Sequence, residues 1–236
     1  MSLRGWWWSV ALPMLLVPVV TEAQQAIGCI QGDPAILQPV RGPEPQLRLA
    51  GTSNKLDLAR RLNDAGDAAL ERDDLASAAE DHRRALAIRQ ALAPRSLAVA
   101  ESLNAAGSVA LERGDLETAK GYFERSLGLR QTLAPGSREV ALSLMNLGNL
   151  ARRRGEIASQ EAYFQQALQL GDVLTPVDRA DIFDGLGSAC SQRPCGQKAQ
   201  DYLEQALQLR QQVQPDSLGL ANTLTYLGRK DRKSVV

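Results

Sequence analysis

The chain has 236 residues, and its 27 Lys and Arg are balanced by 27 Asp and Glu, so the formal net charge is zero. This balance, and the lack of any segment that gathers basic residues, argue against a nucleic-acid-binding protein. Only 4% of the residues are aromatic, while Ala and Leu are abundant, which is typical of closely packed helices rather than of a sheet-based core.

The first 23 residues have the order of an export signal. Met1–Arg4 carries a positive charge, Trp6–Val20 is an apolar run, and Thr21-Glu22-Ala23 ends on a small residue. This order resembles a secretory signal peptide, so we expect cleavage near Ala23 and a periplasmic or secreted protein. Fifteen apolar residues interrupted by two prolines are short for a membrane span. An uncleaved N-terminal anchor is the alternative.

Residues 24–55 are rich in Pro, Gly and Gln and show no helical periodicity. We predict a flexible spacer between the export signal and the first helix of the folded part. Cys29 lies in this spacer, and a lipoprotein site there fits poorly because Ile27 precedes it and the apolar run ends too far upstream.

From residue 56 to residue 228 one pattern recurs. Glycines recur in steps of 41, 41, 39 and 41 residues, at Gly66, Gly107, Gly148, Gly187 and Gly228. Prolines recur in steps of 41, 41 and 39 residues, at Pro94, Pro135, Pro176 and Pro215. A fixed period of this length predicts stacked supersecondary units rather than one closed core.

The second unit is the clearest copy. Apolar and small residues at three- and four-residue steps predict a first helix over 96–112. Gly114 stops it, and Asp115 is the expected N-cap of a second helix over 116–133, which Pro135 ends. Each unit is therefore predicted to be a helix–turn–helix pair.

Aligned positions predict the core. An alanine lies seven residues before each repeat glycine, at Ala59, Ala100, Ala141, Ala180 and Ala221. In the second helix one position is large in every copy, at His82, Phe123, Phe164 and Leu203. The small residues let neighbouring helices approach, and the large ones fill the space between them.

The Leu…Gly/Ala of the first helix, the Gly-Asp turn and the Ala…Phe…Ser-Leu and Pro of the second resemble the tetratricopeptide repeat family. The usual unit has about 34 residues. The longer unit here resembles the kinesin-light-chain-like variant. The resemblance covers residues 56–228 and implies an all-α, right-handed superhelical solenoid, whose first helices line a concave groove that holds a peptide or a partner's helix.

Helical spacing places the groove-facing positions six and three residues before the repeat glycine and one after it. The predicted groove residues are Arg60, Asn63, Asp67, Glu101, Asn104, Ser108, Leu142, Met145, Asn149, Asp181, Asp184 and Ser188. Asn63 and Asn104 stand out because an amide offers both a donor and an acceptor to a peptide backbone. Asn146 lies one residue out of phase with them. A solvated polar helix face with structural amides is the alternative for each residue.

The fourth unit departs from the others, because its turn contains Cys190 and Cys195 in place of Gly-Asp. In an exported protein a local disulfide between them would close this turn. The alternative is two reduced thiols, with Cys190 buried in a column of small residues.

The sequence predicts neither enzyme nor cofactor nor metal. His82, the single histidine, occupies a core column, and Cys190 lies more than two repeats away from it. No phosphate-binding loop or metal-ligand spacing is present in the sequence.

After Gly228 the repeat stops in mid-unit, and the last residues, DRKSVV, can be translated from a common sequencing-adapter sequence. We interpret residues 229–236 as an artefactual or disordered tail of a truncated reading frame. The leading functional hypothesis is a scaffold that binds a protein or peptide, with no nucleic acid or small-molecule substrate. The alternatives are the regulatory front part of a larger protein with a caspase-like (CHAT) effector domain, and a structural array that self-associates through its last helix.

Overall fold

The computed structural model describes residues 45–192 and 197–233, and this part of the chain is built from α-helices and short connections. The helices are α1 Pro45–Glu71, α2 Leu75–Leu92, α3 Leu97–Glu112, α4 Leu116–Leu133, α5 Arg138–Arg154, α6 Ile157–Leu168, α7 Pro176–Cys190, α8 Lys198–Val213 and α9 Leu218–Lys233. Successive helices pack against each other, and each odd-numbered helix also contacts the next odd-numbered one. The predicted all-α solenoid of helix pairs is confirmed.

The α3–α4 pair shows how the sequence sets the helix ends. Ser96 caps α3, since its side chain accepts a hydrogen bond from the Val99 amide at 3.3 Å. Gly114 follows with φ +80°, a conformation that favours glycine. Asp115 then caps α4 by accepting from the Thr118 amide at 3.3 Å. Both predicted helices therefore begin and end within a residue of the expected positions.

The two ends of the array differ from the predicted boundaries. The helix α1 begins at Pro45, inside the segment predicted as a spacer over 24–55. Apolar periodicity could not find its first part, because residues 53–58 are all exposed. The helix α9 continues to Lys233, five residues past Gly228. The predicted signal peptide, residues 24–44 of the spacer with Cys29, and the last three residues of the tail lie outside the described residues.

At four of the five repeat glycines, a large side chain of the second helix lies where a Cβ atom would be. A Cβ atom at Gly107 would lie 2.6 Å from the ring of Phe123, and one at Gly187 would lie 2.6 Å from Leu203. The same contact recurs between Gly66 and His82 and between Gly148 and Phe164. All four large side chains are buried, so the predicted core column is confirmed.

A second column, which the sequence analysis did not single out, joins one repeat to the next. Five residues before the prolines at 94, 135 and 215 stands a buried arginine that reaches the following first helix. Arg89 donates to the Ser102 hydroxyl and Arg130 to the Ser143 hydroxyl, each at 2.8 Å. Arg210 donates to Thr223 at 3.1 Å. We call these residues the arginine links.

The junction between α6 and α7 has no arginine link. Its equivalent position is Gly171, in a 3₁₀ turn, and the helix α6 is only 12 residues long. On α7 the position of the serine is taken by Ile182, which is fully buried with Leu174 in an apolar cluster. Apolar packing therefore replaces the polar link at this junction.

Cys190 ends α7 and is buried, in the column that holds Ala69, Ala110 and Ala151 in the other repeats. Cys195 lies outside the described residues, so the disulfide between the two stays a prediction.

Candidate functional site

The predicted groove residues of α1 are engaged with their own chain. Asn63 is buried and donates from Nδ2 to an Asp67 carboxylate oxygen at 3.1 Å. The other Asp67 oxygen lies 3.6 Å from Nε2 of His82. Burial raises the pKa of Asp67, against the opposing effect of His82. Arg60 is exposed beside Asp57 at 3.8 Å. Of these three predicted residues, Asn63 is buried, whereas Arg60 and Asp67 are exposed.

The predicted residues of α3 are also paired within the chain. Glu101 accepts a hydrogen bond from the arginine link Arg89 at 3.1 Å. The side-chain oxygen of Asn104 accepts one from Nδ2 of Asn146 at 2.8 Å, which joins α3 to α5. The Ser108 hydroxyl donates to the backbone oxygen of Asn104 at 3.2 Å. The polar groups of this stretch therefore largely satisfy one another.

The predicted residues of α5 and α7 lie together around a cavity of about 420 Å³ that also reaches α9. This inner cavity is lined by Leu142, Met145, Asn146, Asn149, Arg152, Phe164, Asp181, Asp184, Gly185, Ser188, Arg210, Gly219, Asn222 and Tyr226. The third and fourth sets of predicted groove residues are all among them. The groove positions thus form one common surface at this end of the array.

A glycine on α7 makes room for the cavity. The position two residues before the repeat glycine is Asn146 on α5 and Tyr226 on α9, but Gly185 on α7. The ring of Phe164 packs so closely on Gly185 that a Cβ atom there would collide with it. Gln160, fully buried, donates to the Gly185 backbone oxygen at 2.9 Å. Because Gly185 has no side chain, the ring of Phe164 packs against it and lines the cavity.

An ionic cluster forms the base of the cavity between α7 and α9. The arginine link Arg210 contacts Asp181 and donates to Asp184 Oδ2 at 2.8 Å, and the Thr223 hydroxyl donates to the same oxygen at 2.9 Å. Burial raises the pKa of Asp184, although Arg210 and Thr223 oppose this effect. The other oxygen of Asp184 is buried without a partner among the described residues. Two carboxylates thus share one guanidinium at the base.

Four uncharged polar side chains that line the cavity, like the charged Arg152, make no side-chain hydrogen bond within the described part of the chain. They are Asn149, Ser188, Asn222 and Tyr226, and each is at least partly exposed. Asn222 and Tyr226 were not predicted as groove residues. The signal that could have found Asn222 is the same spacing rule applied to the last glycine, since Asn222 lies six residues before Gly228.

Two other properties of the described helices bear on function. Within residues 45–192 and 197–233 no three His, Cys, Asp or Glu side chains are grouped so that they could hold a metal ion. In the same residues no helix combines the length and the apolar character that crossing a membrane requires.

The helix pairs and the inner cavity define a class of protein, the helical-repeat solenoid with a side-chain-lined inner face. Residues 98–172 match the family model described as tetratricopeptide repeat. This part of the chain therefore consists of tetratricopeptide repeats, the family predicted from the sequence, and such repeats indicate a scaffold for protein–protein interaction.

Among solved structures, the chain is similar to the crystal structure of BtubC (BKLC) from P. vanneervenii. The TM-score is 0.60 at 23% sequence identity, over 73% of this chain and 66% of that one. At this identity the likeness concerns the fold, and this chain spans just under two thirds of the length of that structure. A comparison with curated proteins returns no match.

Proposed function

We propose that this protein is a scaffold that binds a segment of a partner protein in the inner cavity formed by α5, α7 and α9. The observation that supports this proposal is a set of uncharged polar side chains around the cavity that have no hydrogen-bond partner among the described residues, Asn149, Ser188, Asn222 and Tyr226. Amides and hydroxyls offer donors and acceptors to a peptide backbone whatever its sequence.

The walls of the cavity support an amphipathic occupant. Leu142, Met145 and Phe164 supply apolar lining, whereas Asp181 and Arg210 supply the ionic base. A peptide segment or a helix that presents one apolar side chain and a polar backbone or side-chain edge fits both walls. A cavity of about 420 Å³ has room for one or two side chains rather than for a whole helix.

The proposal is tested by crosslinking followed by affinity measurement. A photo-crosslinking amino acid at Ser188, on the cavity, should capture a partner from the native cell extract, whereas one at the exposed Arg125 of α4 should not. The captured protein is then purified, and its affinity for the unlabelled chain is measured by calorimetry.

The variant Asn149→Ala/Asn222→Ala should weaken that affinity at least about tenfold, because it removes two donor–acceptor groups, each worth about 1 kcal/mol. The matched control is Gln131→Ala/Gln211→Ala, which removes two exposed amides from the second helices α4 and α8. Asn63→Ala/Asn104→Ala should have a smaller effect, since both amides are bonded within the chain. Equal affinities for the cavity variant and the glutamine control would refute the proposed site.

A further inference from the structure

His82 is the only histidine in the chain, and it occupies a position where the next two repeats have Phe123 and Phe164. Its side chain is 0% exposed, and a Cβ atom on Gly66 would lie 2.7 Å from its ring. Neither ring nitrogen has a hydrogen-bond partner among the described residues. A protonated imidazole has two N–H donors, and burying a charged group without acceptors is strongly unfavourable.

The nearest acceptor is not placed to accept a hydrogen bond from the ring. The distance from Nε2 of His82 to the Asp67 carboxylate is 3.6 Å, and the Asp67 side chain is 57% exposed. The other Asp67 oxygen is held by Asn63, whose own side-chain oxygen is also buried without a partner. Three buried polar atoms without partners thus lie at one contact between α1 and α2.

Other charged groups act on His82 directly or on its neighbour Asp67. On α2, Asp81 favours the protonated ring and Arg89 disfavours it. From α3, Glu101 acts on Asp67, as do Asp64 and Glu71 of α1, and all three favour its neutral form. A more neutral Asp67 gives less support to a charged imidazole.

We infer that the α1–α2 pair is an acid-sensitive element of the array, in which protonation of His82 opens the contact between the two helices. Opening would also displace Asn63 and Asp67, which are bonded to each other beneath the ring on the inner face of α1. The second and third repeats have phenylalanine at this position and so have no such group to protonate.

The direction of the pH effect follows from the environment of the ring. Burial lowers the pKa of His82 more than Asp67 and Asp81 raise it. The packed pair therefore binds a proton less readily than the open pair, whose histidine has an ordinary pKa of about 6.5. The contact keeps its full stability above that pH and loses stability as the pH falls below it. At pH 5 the open population can rise up to about 30-fold above its value at pH 7.5.

Two measurements on the intact protein test this inference. Because the chain has a single histidine, one imidazole signal in an NMR titration reports its pKa directly. We expect a value below 6.5; a value at or above 6.5 would overturn the inference.

Hydrogen exchange at pH 7.5 and 5.0, corrected for the intrinsic rates, then follows opening along the chain. Amides of α1 and α2 should lose protection by up to about 30-fold more than those of α3 and α4. His82→Phe copies the neighbouring repeats and should abolish this difference, and His82→Leu, which copies Leu203, serves if the phenylalanine variant does not fold. An equal loss of protection in the wild type and in these variants would show that His82 is not the group responsible.

Discussion

The two halves of the inner face use the same positions in different ways. On α1 and α3 the predicted groove residues mostly bond to each other or to neighbouring repeats, as in Asn63 with Asp67 and Asn104 with Asn146. Around α5, α7 and α9 the equivalent positions surround a cavity, and Asn149, Ser188 and Asn222 make no side-chain hydrogen bond to any other described residue. Repetition of a sequence pattern therefore does not repeat the chemistry of the surface, because that depends on which side chains find partners.

Removing one arginine link at a time should have the largest effect on the free energy of unfolding, and the effect should differ between Arg210 and Arg130. Arg210→Ala leaves Asp184, nine-tenths buried, without its cation, and removing one partner of a buried ion pair costs about 3–5 kcal/mol. Arg130→Ala removes hydrogen bonds to Ser143 and to the Glu139 backbone oxygen, which costs about 1–3 kcal/mol. The free energy of unfolding from urea denaturation, followed by circular dichroism, gives both values.

A third variant shows whether the charge of Asp184 is the cause. Arg210→Ala/Asp184→Asn should recover part of the stability that Arg210→Ala loses, because it removes the unpaired buried carboxylate. If Arg210→Ala is no more destabilising than Arg130→Ala, the ionic base of the cavity has no special energetic role.

The next effect concerns Gly185, against which the ring of Phe164 packs. Gly185→Ala should destabilise the fold by about 1–3 kcal/mol, since the added methyl group collides with the buried ring of Phe164. The control is Gly128→Ala on α4, where a Cβ atom meets nothing within 4 Å. That change should stabilise the fold by about 0.5–1 kcal/mol, because alanine favours a helix interior. Thermal unfolding of both variants tests this contrast, and shifts of the same sign would contradict it.

The smallest effect compares two arginines of α5 that face opposite neighbours. Arg138 forms two hydrogen bonds, of 2.6 and 2.8 Å, with the buried Asp178 of α7, whereas Arg153 pairs at 3.0 Å with the exposed Glu112 of α3. Arg138→Ala should cost about 1–2 kcal/mol, and Arg153→Ala less than about 0.5 kcal/mol. Urea denaturation at pH 7 measures both differences.

The contact between Arg138 and Asp178 should also make the stability of the fold depend on pH. Burial by itself would raise the pKa of Asp178, but the hydrogen bonds from Arg138 and Thr175 outweigh it and lower that pKa below 3.8. A lowered pKa means that this carboxylate stabilises the fold above about pH 4 and loses that contribution as the pH falls through its folded value. The difference in free energy of unfolding between the wild type and Arg138→Ala should therefore become smaller as the pH falls from 5 to 3. If this difference stays constant, the contact does not depend on the charge of the carboxylate.

Much of the fold could be predicted because its determinants are local in the sequence. The glycine and proline spacing gave the helix pairs, Asp115 and Pro135 gave the ends of α4, and the column of His82, Phe123, Phe164 and Leu203 gave the core. The start of α1 escaped prediction because residues 53–58 are all exposed, so no apolar periodicity leads back from the repeat towards it. The arginine links escaped because a charged residue is ordinarily assigned to the surface.

The candidate site was only partly predictable. Helical spacing identified Met145, Asn149, Asp184 and Ser188, which the cavity brings together. It also identified Asn63 and Asn104, but the spacing rule does not reveal that each of these amides already forms a hydrogen bond, with Asp67 and Asn146 respectively. Those partners lie one turn away or one repeat away, at distances that helix packing sets.

The sequence by itself determined the repeat period, the pairing of helices, the bounds of α3 and α4, and the large residues that fill the core. These follow from backbone preferences and from burial, which act within a turn or within one repeat. Only the tertiary structure decided which groove residues are already hydrogen-bonded, where the cavity beside Gly185 and Phe164 lies, and that the ring nitrogens of His82 have no hydrogen-bond partner among the described residues. Those properties depend on the spacing between helices to within an ångström, because a hydrogen bond forms or fails over that distance.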